Sequence, residues 1–330
     1  MADLRIAIIG AGGMAQRHLK TLAGLLGEKP VAAVCDVDRT RASATCAAYG
    51  GAAYEDAALM LKAEPIDVAF IFTPPFARED AVKLCCRKGL PFFCEKPPAA
   101  DLKAAGKIVE AAVKSGVIHS VGFMYRHAEM VEECRRWFDG QAVTSAVSQV
   151  ACGVLLEPDS LTWRKMAAQG GGPLLDQAIN IVDIIRLIAG EITEVHAFGS
   201  NQLAPRSETL TVPETVTMAY RLANGAVGCH YHSWAQKGWT CELELRAADS
   251  RATLDFATGK ATGSIKGEAK AAAVVKDYYA TEIELFLKAV REKNPALIRS
   301  TMADAVKSLA VVLAASRSLE TGKPERVKEV

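Results

Sequence analysis

A glycine-rich turn near the start of the chain constrains the fold more than any other feature. Gly10-Ala11-Gly12-Gly13-Met14-Ala15 follows an apolar run at residues 5–9 and precedes a helical pattern. In this pattern the first glycine allows a tight turn, the second lets the backbone approach a pyrophosphate, and the third small residue allows close helix–strand packing. The helix N-terminus attracts the anion. The segment predicts a dinucleotide site, although a glycine turn without a ligand remains an alternative; the predicted contacts are Gly10, Gly12, Gly13, Met14 and Ala15.

Apolar runs and helical patterns alternate through the first third of the chain. Further apolar runs lie at residues 31–35, 67–72, 92–94 and 117–123, and helical patterns separate them. Continuous apolar strands separated by helices indicate a parallel sheet that is covered on both faces. We therefore predict a doubly wound Rossmann domain of the α/β class over residues 1–122.

The remainder, residues 123–330, follows a different pattern. Gly170-Gly171-Gly172-Pro173 precedes a strongly apolar helical segment, and closely spaced strand patterns follow between residues 195 and 256. Asn224-Gly225 between two of these patterns is typical of a hairpin turn. This part is predicted to be an α/β domain with a large open, mainly antiparallel sheet. Two helical patterns end the chain and can pack back on the first domain.

Composition excludes several classes of protein. Half of the residues are hydrophobic, 23% are charged and the net charge is +1. Such a chain has no overall field to attract nucleic acid, and its apolar runs are far shorter than the roughly 18 residues that cross a bilayer. The nine cysteines show no two-residue metal or redox spacing, so we predict reduced thiols and no metal site. We expect no signal peptide and a cytoplasmic location.

An acidic residue ends the second strand pattern. Asp36 lies about 20 residues beyond the glycine turn, where the dinucleotide pattern places an acid that binds the ribose hydroxyls. A carboxylate there repels a 2′-phosphate, which favours NAD over NADP. Arg39 lies close enough to pair with such a phosphate, so NADP stays possible.

A lysine follows another buried strand pattern. Glu95-Lys96-Pro97 lies at the carboxyl end of that strand, the edge at which open α/β sheets bind ligands. With the glycine turn, this segment resembles the glucose–fructose oxidoreductase / inositol dehydrogenase (Gfo/Idh/MocA) family. The resemblance covers nearly the whole chain. Further segments that match the family in order are Thr73-Pro74, Tyr125-Arg126, Trp163-Arg164, Gly170-Gly171-Gly172, Asp176 and Asp183.

The resemblance implies an activity and a set of contacts. Members transfer hydride between NAD(P) and a carbon of sugars, cyclitols or related polyols, and they form homodimers or homotetramers through the open sheet. It implies cofactor contacts at Thr73, Pro74, Glu95, Lys96, Trp163 and Arg164. It implies substrate contacts at Lys96, Tyr125, Arg126, Asp176 and Asn180.

The chain departs from the family at one catalytic position. Members have an aspartate and, four residues later, a histidine beside the lysine; Asp176 matches the aspartate, but Asn180 stands at the histidine position. Asparagine only donates or accepts hydrogen bonds, so it cannot accept a proton. Lys96 is then the predicted acid/base or alkoxide stabiliser, with Asp176 and Asn180 completing the catalytic group. A non-catalytic, dinucleotide-binding regulatory protein of the same fold remains the alternative.

Histidines offer a further candidate. His230, His232 and Trp234 alternate along one strand pattern and therefore share a face of it. That face could line the substrate pocket, with His232 as a replacement base, or it could lie in the core or in a sheet interface. His18 is predicted to be a packing residue of the first helix.

Overall fold

Six short strands form a parallel sheet in the computed structural model, which describes residues 4–156 and 162–329. Their order is β3-β2-β1-β4-β5-β6, and every neighbouring pair is parallel. This is the doubly wound Rossmann order, in which ligands bind at the carboxyl edge. The predicted first sheet is confirmed. The strands are β1 (Ile6–Ile9), β2 (Val31–Cys35), β3 (Ala52–Tyr54), β4 (Val68–Ile71), β5 (Phe92–Glu95) and β6 (His119–Gly122).

Helices accompany this sheet. Asp38, Asp101 and Asp277 accept backbone N–H groups at the starts of the second, fifth and eighth helices, as helix N-caps do. Aromatic residues fill the core, where Phe286 meets Phe70 edge-on at 5.6 Å between ring centroids. Across both units of the described chain, the helices are α1 (Gly13–Leu26), α2 (Arg39–Tyr49), α3 (Ala57–Ala63), α4 (Arg78–Lys88), α5 (Leu102–Ser115), α6 (Glu129–Trp137), α7 (Ile179–Ala189), α8 (Tyr278–Glu292) and α9 (Met302–Thr321).

A nine-stranded sheet forms from the later strands, in the order β14-β13-β12-β11-β7-β10-β9-β8-β15. Among the described strands of this second sheet, only the β7–β10 pair is parallel, so the prediction of a large, mainly antiparallel sheet is confirmed. The segment 259–276 supplies β13 and β14. The strands are β7 (Ser145–Ala151), β8 (Ile192–Ser200), β9 (Thr215–Leu222), β10 (Val227–Ser233), β11 (Thr240–Arg246), β12 (Ser250–Asp255), β13 (Lys260–Ile265), β14 (Glu268–Ala273) and β15 (Glu325–Arg326).

Contacts along the chain divide it into two units. The first comprises residues 4–124 and Asp277–Val306, and the second comprises the rest of the described chain. The expected domain boundary after residue 122 stays a prediction, because a division by contacts does not test independent folding. None of the helices in the described part of the chain is long and apolar enough to cross a membrane.

Candidate active site

The glycine turn joins β1 to α1 in the first unit. Gly10 has a φ of +91°, and a Cβ at this position would lie 2.8 Å from the Thr73 nitrogen. Both the backbone conformation and this close approach exclude a side chain, because only glycine adopts such a φ readily. The turn therefore lies directly against the end of β4.

The N-terminus of α1 is open. Gly12 is its N-cap residue and supplies no side-chain hydrogen bond. A Cβ at Gly12 or Gly13 would meet no atom of the described chain within 4 Å. The Thr73 hydroxyl is buried and has no hydrogen-bond partner among the described residues. An uncapped helix N-terminus beside free space suits an anion, so these residues fit the pyrophosphate of a dinucleotide.

Asp36 holds the turn from the neighbouring strand. Its Oδ2 accepts the Ala11 N–H at 2.8 Å, and its Oδ1 accepts the Asp38 N–H at 2.9 Å. The Arg41 guanidinium donates to both oxygens, at 3.2 and 3.3 Å. Arg39, the predicted phosphate partner, lies exposed at the start of α2. Arg41, the arginine that contacts Asp36, was not predicted from the sequence; its position one helical turn beyond Asp38 was the available signal.

The Glu95 side chain fixes the start of the lysine segment. Glu95 is buried at the end of β5, and its Oε2 accepts the Lys96 N–H at 3.0 Å. The Lys96–Pro97 peptide bond is cis. Arg78, which sequence analysis also missed, is buried and donates to the carbonyls of Thr73, at 2.8 Å, and Pro97. Arg78 therefore bonds to both of the loops that follow β4 and β5.

In the second unit, a turn of π-helix at Leu174–Ala178 carries Asp176. The Arg164 guanidinium forms an ion pair with the Asp176 carboxylate, and each side chain is 18% exposed. Arg164 also lies 5.5 Å from the centre of the Trp234 ring, within cation–π range. A Cβ at Gly170 would lie 2.4 Å from the Arg164 Cα, so this glycine is needed for the approach. The structure thus joins a predicted cofactor contact, Arg164, to a predicted catalytic residue, Asp176.

Asn180 lies one helical turn beyond Asp176. It is 7% exposed, and its Oδ1 has no hydrogen-bond partner among the described residues. A buried carbonyl oxygen without a partner is costly. Asn180 therefore presents an acceptor that a ligand hydroxyl could satisfy.

Arg126 and Asp183 form a buried pair. The Arg126 Nε and Nη2 donate to the two Asp183 oxygens at 2.6 Å each. The Ser308 hydroxyl donates to Asp183 Oδ1 at 2.9 Å, and Arg186 Nη1 lies 3.6 Å from the same oxygen. These contacts favour a structural role for Arg126, and its substrate contact stays a prediction.

Tyr125 is also buried in the second unit. Its ring centroid lies 4.3 Å from that of Phe256, and its hydroxyl lies 3.9 Å from Cys241 Sγ. The hydroxyl is therefore directed at the core of this unit. A substrate contact at Tyr125 stays a prediction.

The histidines of β10 belong to a buried network of hydrogen-bonded side chains. Trp234 Nε1 can only donate, and it donates to Gln177 Oε1 at 2.8 Å. His232 Nε2 must then carry a proton, which it donates to the same oxygen at 3.0 Å. His232 Nδ1 accordingly accepts from His230 Nε2 at 3.3 Å, and His230 Nδ1 accepts from the Ser148 hydroxyl at 2.9 Å. One obligate donor therefore sets the tautomers of both histidines.

These hydrogen bonds indicate a structural role for both imidazoles. Both side chains are fully buried, and every ring nitrogen has a partner within the second unit. Gln177, which accepts from both His232 and Trp234, directly follows Asp176. The hydrogen-bonded histidines therefore support the π-helical turn. A substrate contact at His232 stays a prediction, and the buried position of its side chain does not favour it.

Acid is expected to destabilise the second unit through these histidines. Burial lowers the pKa of His230 to about 4, and burial and the neighbouring His230 lower the pKa of His232 well below its usual value. An unfolded histidine binds its proton near pH 6.5, whereas the folded chain excludes it. Stability should therefore be full above about pH 6.5 and fall as the pH drops towards 4, by roughly 3 kcal/mol from His230 alone.

Chemical denaturation at several pH values tests this expectation. The double variant His230→Gln and His232→Gln lacks both titrating groups and serves as the matched control. Its stability should change less than that of the wild type between about pH 6.5 and about pH 4.5. Equal pH dependence in the two proteins would contradict the assignment.

The family models match both parts of the chain. The model described as "Oxidoreductase family, NAD-binding Rossmann fold" matches residues 4–123, and the GFO/IDH/MocA C-terminal domain matches residues 142–259. The chain belongs to the GFO/IDH/MocA family. Its first domain is accordingly of the NAD-binding kind, in agreement with the open glycine turn. Within the described residues, no cluster of three or more His, Cys, Asp or Glu side chains is arranged to hold a metal ion.

Two similar family members are named as dehydrogenases. An inositol 2-dehydrogenase from Renibacterium salmoninarum is 32% identical over 58% of this chain and 57% of its own length. A D-glucoside 3-dehydrogenase from Escherichia coli is 30% identical over 57% of this chain and 55% of its own length. The chain thus matches little more than half the length of these relatives.

Two solved dehydrogenase structures share the fold. A levoglucosan dehydrogenase in complex with NADH superposes with a TM-score of 0.88 over 100% of both chains, at 18% identity. A UDP-N-acetylglucosamine 3-dehydrogenase from Acidithiobacillus ferrooxidans gives 0.82 over 97% of this chain and 99% of its own, at 21% identity. At these identities the likeness establishes the architecture alone.

Proposed function

We propose that the protein is an NAD-dependent oxidoreductase that transfers hydride between nicotinamide and a carbon of a sugar, cyclitol or related polyol. The observation that carries the proposal is Lys96, which follows β5 at the same sheet edge as the open glycine turn and is held there by Glu95. Relatives named as inositol and glucoside dehydrogenases support the substrate class. Bound NAD supplies the acceptor for the hydride.

The side chains of this protein would handle the proton and the substrate hydroxyls. Oxidation of an alcohol releases a proton with the hydride, and an amine can accept it or stabilise the alkoxide by its charge. The proposal gives this task to Lys96. Asp176, held by Arg164, and Asn180, with its unpaired oxygen, would bind substrate hydroxyls.

Turnover on a substrate panel tests the proposal. Sugars, cyclitols and linear polyols are offered with NAD, and the corresponding ketones are offered with NADH, while absorbance of the reduced nicotinamide is followed. We expect at least one cyclic polyol or sugar to be turned over. Tight NADH binding without turnover on the whole panel would overturn the enzyme assignment.

One observation favours a second candidate, a non-catalytic protein that binds dinucleotide and ligand. Asn180 replaces the family's histidine, and asparagine cannot accept a proton. The same panel separates the two candidates, because a regulatory protein would bind NADH and a ligand without oxidising either. We favour the enzyme since Lys96 and Asp176 are both retained.

Asn180 itself gives a sharp prediction. If Lys96 handles the proton, Asn180→Ala should mainly weaken substrate binding, by about 0.5–1.5 kcal/mol for one neutral hydrogen bond. Asn180→His should add a second group that titrates near pH 6.5 to the pH–rate profile and raise the rate of alcohol oxidation. Steady-state kinetics against pH measure both. An Asn180→Ala variant that binds normally but does not turn over would contradict the Lys96-centred mechanism.

Cofactor choice should depend on the Asp36–Arg41 pair. The Asp36 carboxylate repels a 2′-phosphate, so NADH should bind at least about tenfold more tightly than NADPH, or about 1.4 kcal/mol. Arg41 offsets part of that repulsion, and Arg41→Ala should weaken NADPH binding further while sparing NADH. Fluorescence titration of both cofactors measures this. Arg39→Ala is the matched control, and a larger effect there would restore Arg39 as the phosphate partner.

We also propose that the chain forms homodimers or homotetramers through the nine-stranded sheet. Val147, Phe198 and Val227 lie on one face of it and are 42%, 66% and 51% exposed. Exposed apolar side chains on one face of a sheet are typical of an interface between subunits. Light scattering should show a multiple of the chain mass, and Val227→Glu should reduce it.

The nine free thiols support a cytoplasmic location as part of the proposal.

A further inference from the structure

A histidine and a glutamate that lie 77 positions apart form a buried pair in the first unit. The His18 Nε2–H donates to Glu95 Oε1 at 2.6 Å. Their side chains are 0% and 3% exposed. His18 belongs to α1, the helix that begins at the glycine turn, and Glu95 immediately precedes Lys96. The pair therefore connects the cofactor helix to the lysine segment.

Aromatic rings enclose this pair. Phe72 stacks on the His18 imidazole at 4.8 Å between centroids, Phe93 lies at 5.4 Å and Tyr279 meets it edge-on at 5.6 Å. Burial by itself raises the pKa of Glu95. The His18 hydrogen bond and the charges of His18, Lys96 and Arg78 outweigh burial and lower that pKa. The carboxylate is therefore ionised and dependent on its partners.

The two oxygens of this carboxylate have different partners. Oε1 accepts from His18, and Oε2 accepts the Lys96 N–H at 3.0 Å. A Cβ at Gly122 would lie 3.0 Å from Oε1, so the glycine of the neighbouring strand leaves the space that the carboxylate occupies. Rotation of Glu95 would break both hydrogen bonds, and the position of the Lys96 backbone therefore depends on His18.

We propose that His18 is a positioning residue for Lys96, acting through Glu95. The inference rests on the proposed function, in which Lys96 handles the proton. A packing role alone would not require a ring nitrogen directed at a carboxylate in an aromatic core. His18 Nδ1 has no hydrogen-bond partner in the described part of the chain, so Nε2 is the nitrogen that matters. Glutamine can place a donor at that point, whereas leucine cannot.

Amide hydrogen exchange tests the structural half of the proposal without a substrate. Pro97 and Pro98 have no amide hydrogen, so a peptide that ends there reports Lys96 as its last exchangeable position. We expect His18→Leu to accelerate exchange at Lys96 and His18→Gln to restore protection. Unchanged exchange at Lys96 in folded His18→Leu would overturn the proposal.

Kinetics test the functional half, with the best substrate found on the panel. His18→Leu should lower kcat by about 10- to 100-fold, since a small misplacement of a reacting group has that effect, while NADH affinity stays close to wild type. Without the His18 hydrogen bond the pKa of Glu95 should rise, and the acid side of the kcat profile should move to higher pH. His18→Gln should recover most of the rate and the wild-type profile, which a purely structural role would not require.

Control variants distinguish an error in the role of His18 from an error in the role of Lys96. His119→Gln removes another histidine of the first unit and should keep the wild-type rate. If His18→Leu does not fold, Glu95→Gln takes its place. The two donors bond to different carboxylate oxygens, and the amide NH2 group that replaces one of them cannot accept, so kcat should fall; a wild-type rate would overturn the proposal. Inactive Lys96→Met beside fully active His18→Leu would overturn this inference alone. Fully active Lys96→Met would overturn both this inference and the assigned role of Lys96.

Discussion

The Lys96→Met variant is expected to lose about 10²- to 10⁴-fold in kcat, the usual contribution of a positioned acid or base. Methionine keeps an unbranched side chain of similar length but carries neither charge nor proton. The backbone hydrogen bond from Lys96 to Glu95 does not involve the replaced atoms, so the fold should persist and NADH should still bind. Turnover and NADH titration of the purified variant measure both expectations.

Two further variants sharpen the result. Lys96→Arg keeps the positive charge but cannot release a proton at ordinary pH. It should retain activity if the lysine only stabilises an alkoxide and lose it if the lysine transfers the proton. Lys103→Met, at an exposed position of α5, is the matched control and should be neutral. Wild-type turnover by Lys96→Met would show that another group transfers the proton.

Arg126→Met should destabilise the second unit by about 3–5 kcal/mol, as expected when one partner of a buried ion pair is removed. The variant would leave the fully buried Asp183 carboxylate with Ser308 and the more distant Arg186. Asp183 lies in the middle of α7, the helix that follows the π-helical turn. This helix would therefore lose its ion pair with Arg126. Chemical denaturation monitored by circular dichroism measures the change in free energy of unfolding.

Controls for this prediction lie within the same unit. Arg136 forms exposed ion pairs with Glu132 and Glu133, and Arg136→Met should cost about 1 kcal/mol or less. Replacing both partners, Arg126→Met with Asp183→Asn, should be less harmful than the two separate losses added together. A stable Arg126→Met protein with weakened substrate binding would instead support the substrate contact predicted from sequence.

Local patterns predicted the architecture and the cofactor turn. Short apolar runs separated by helical patterns determine a covered parallel sheet, and Gly10 is required by both its φ and the approach of Thr73. These features depend on neighbours in sequence or on the periodicity of one element, so they can be read without coordinates. The family resemblance rested on the same short segments and is confirmed.

Only the tertiary structure decided the partners of the polar side chains. His18 meets Glu95 across 77 positions, Arg126 meets Asp183 across 57, and Arg41 rather than Arg39 contacts Asp36. A sequence pattern states which residue types are present on a helix or strand face, but not which distant side chain satisfies them. Buried charges and imidazoles must find partners wherever the fold brings them. For this protein the sequence determined the cofactor turn and the lysine segment, whereas the packing of distant elements decided what holds Lys96, Asp176 and the β10 histidines in place.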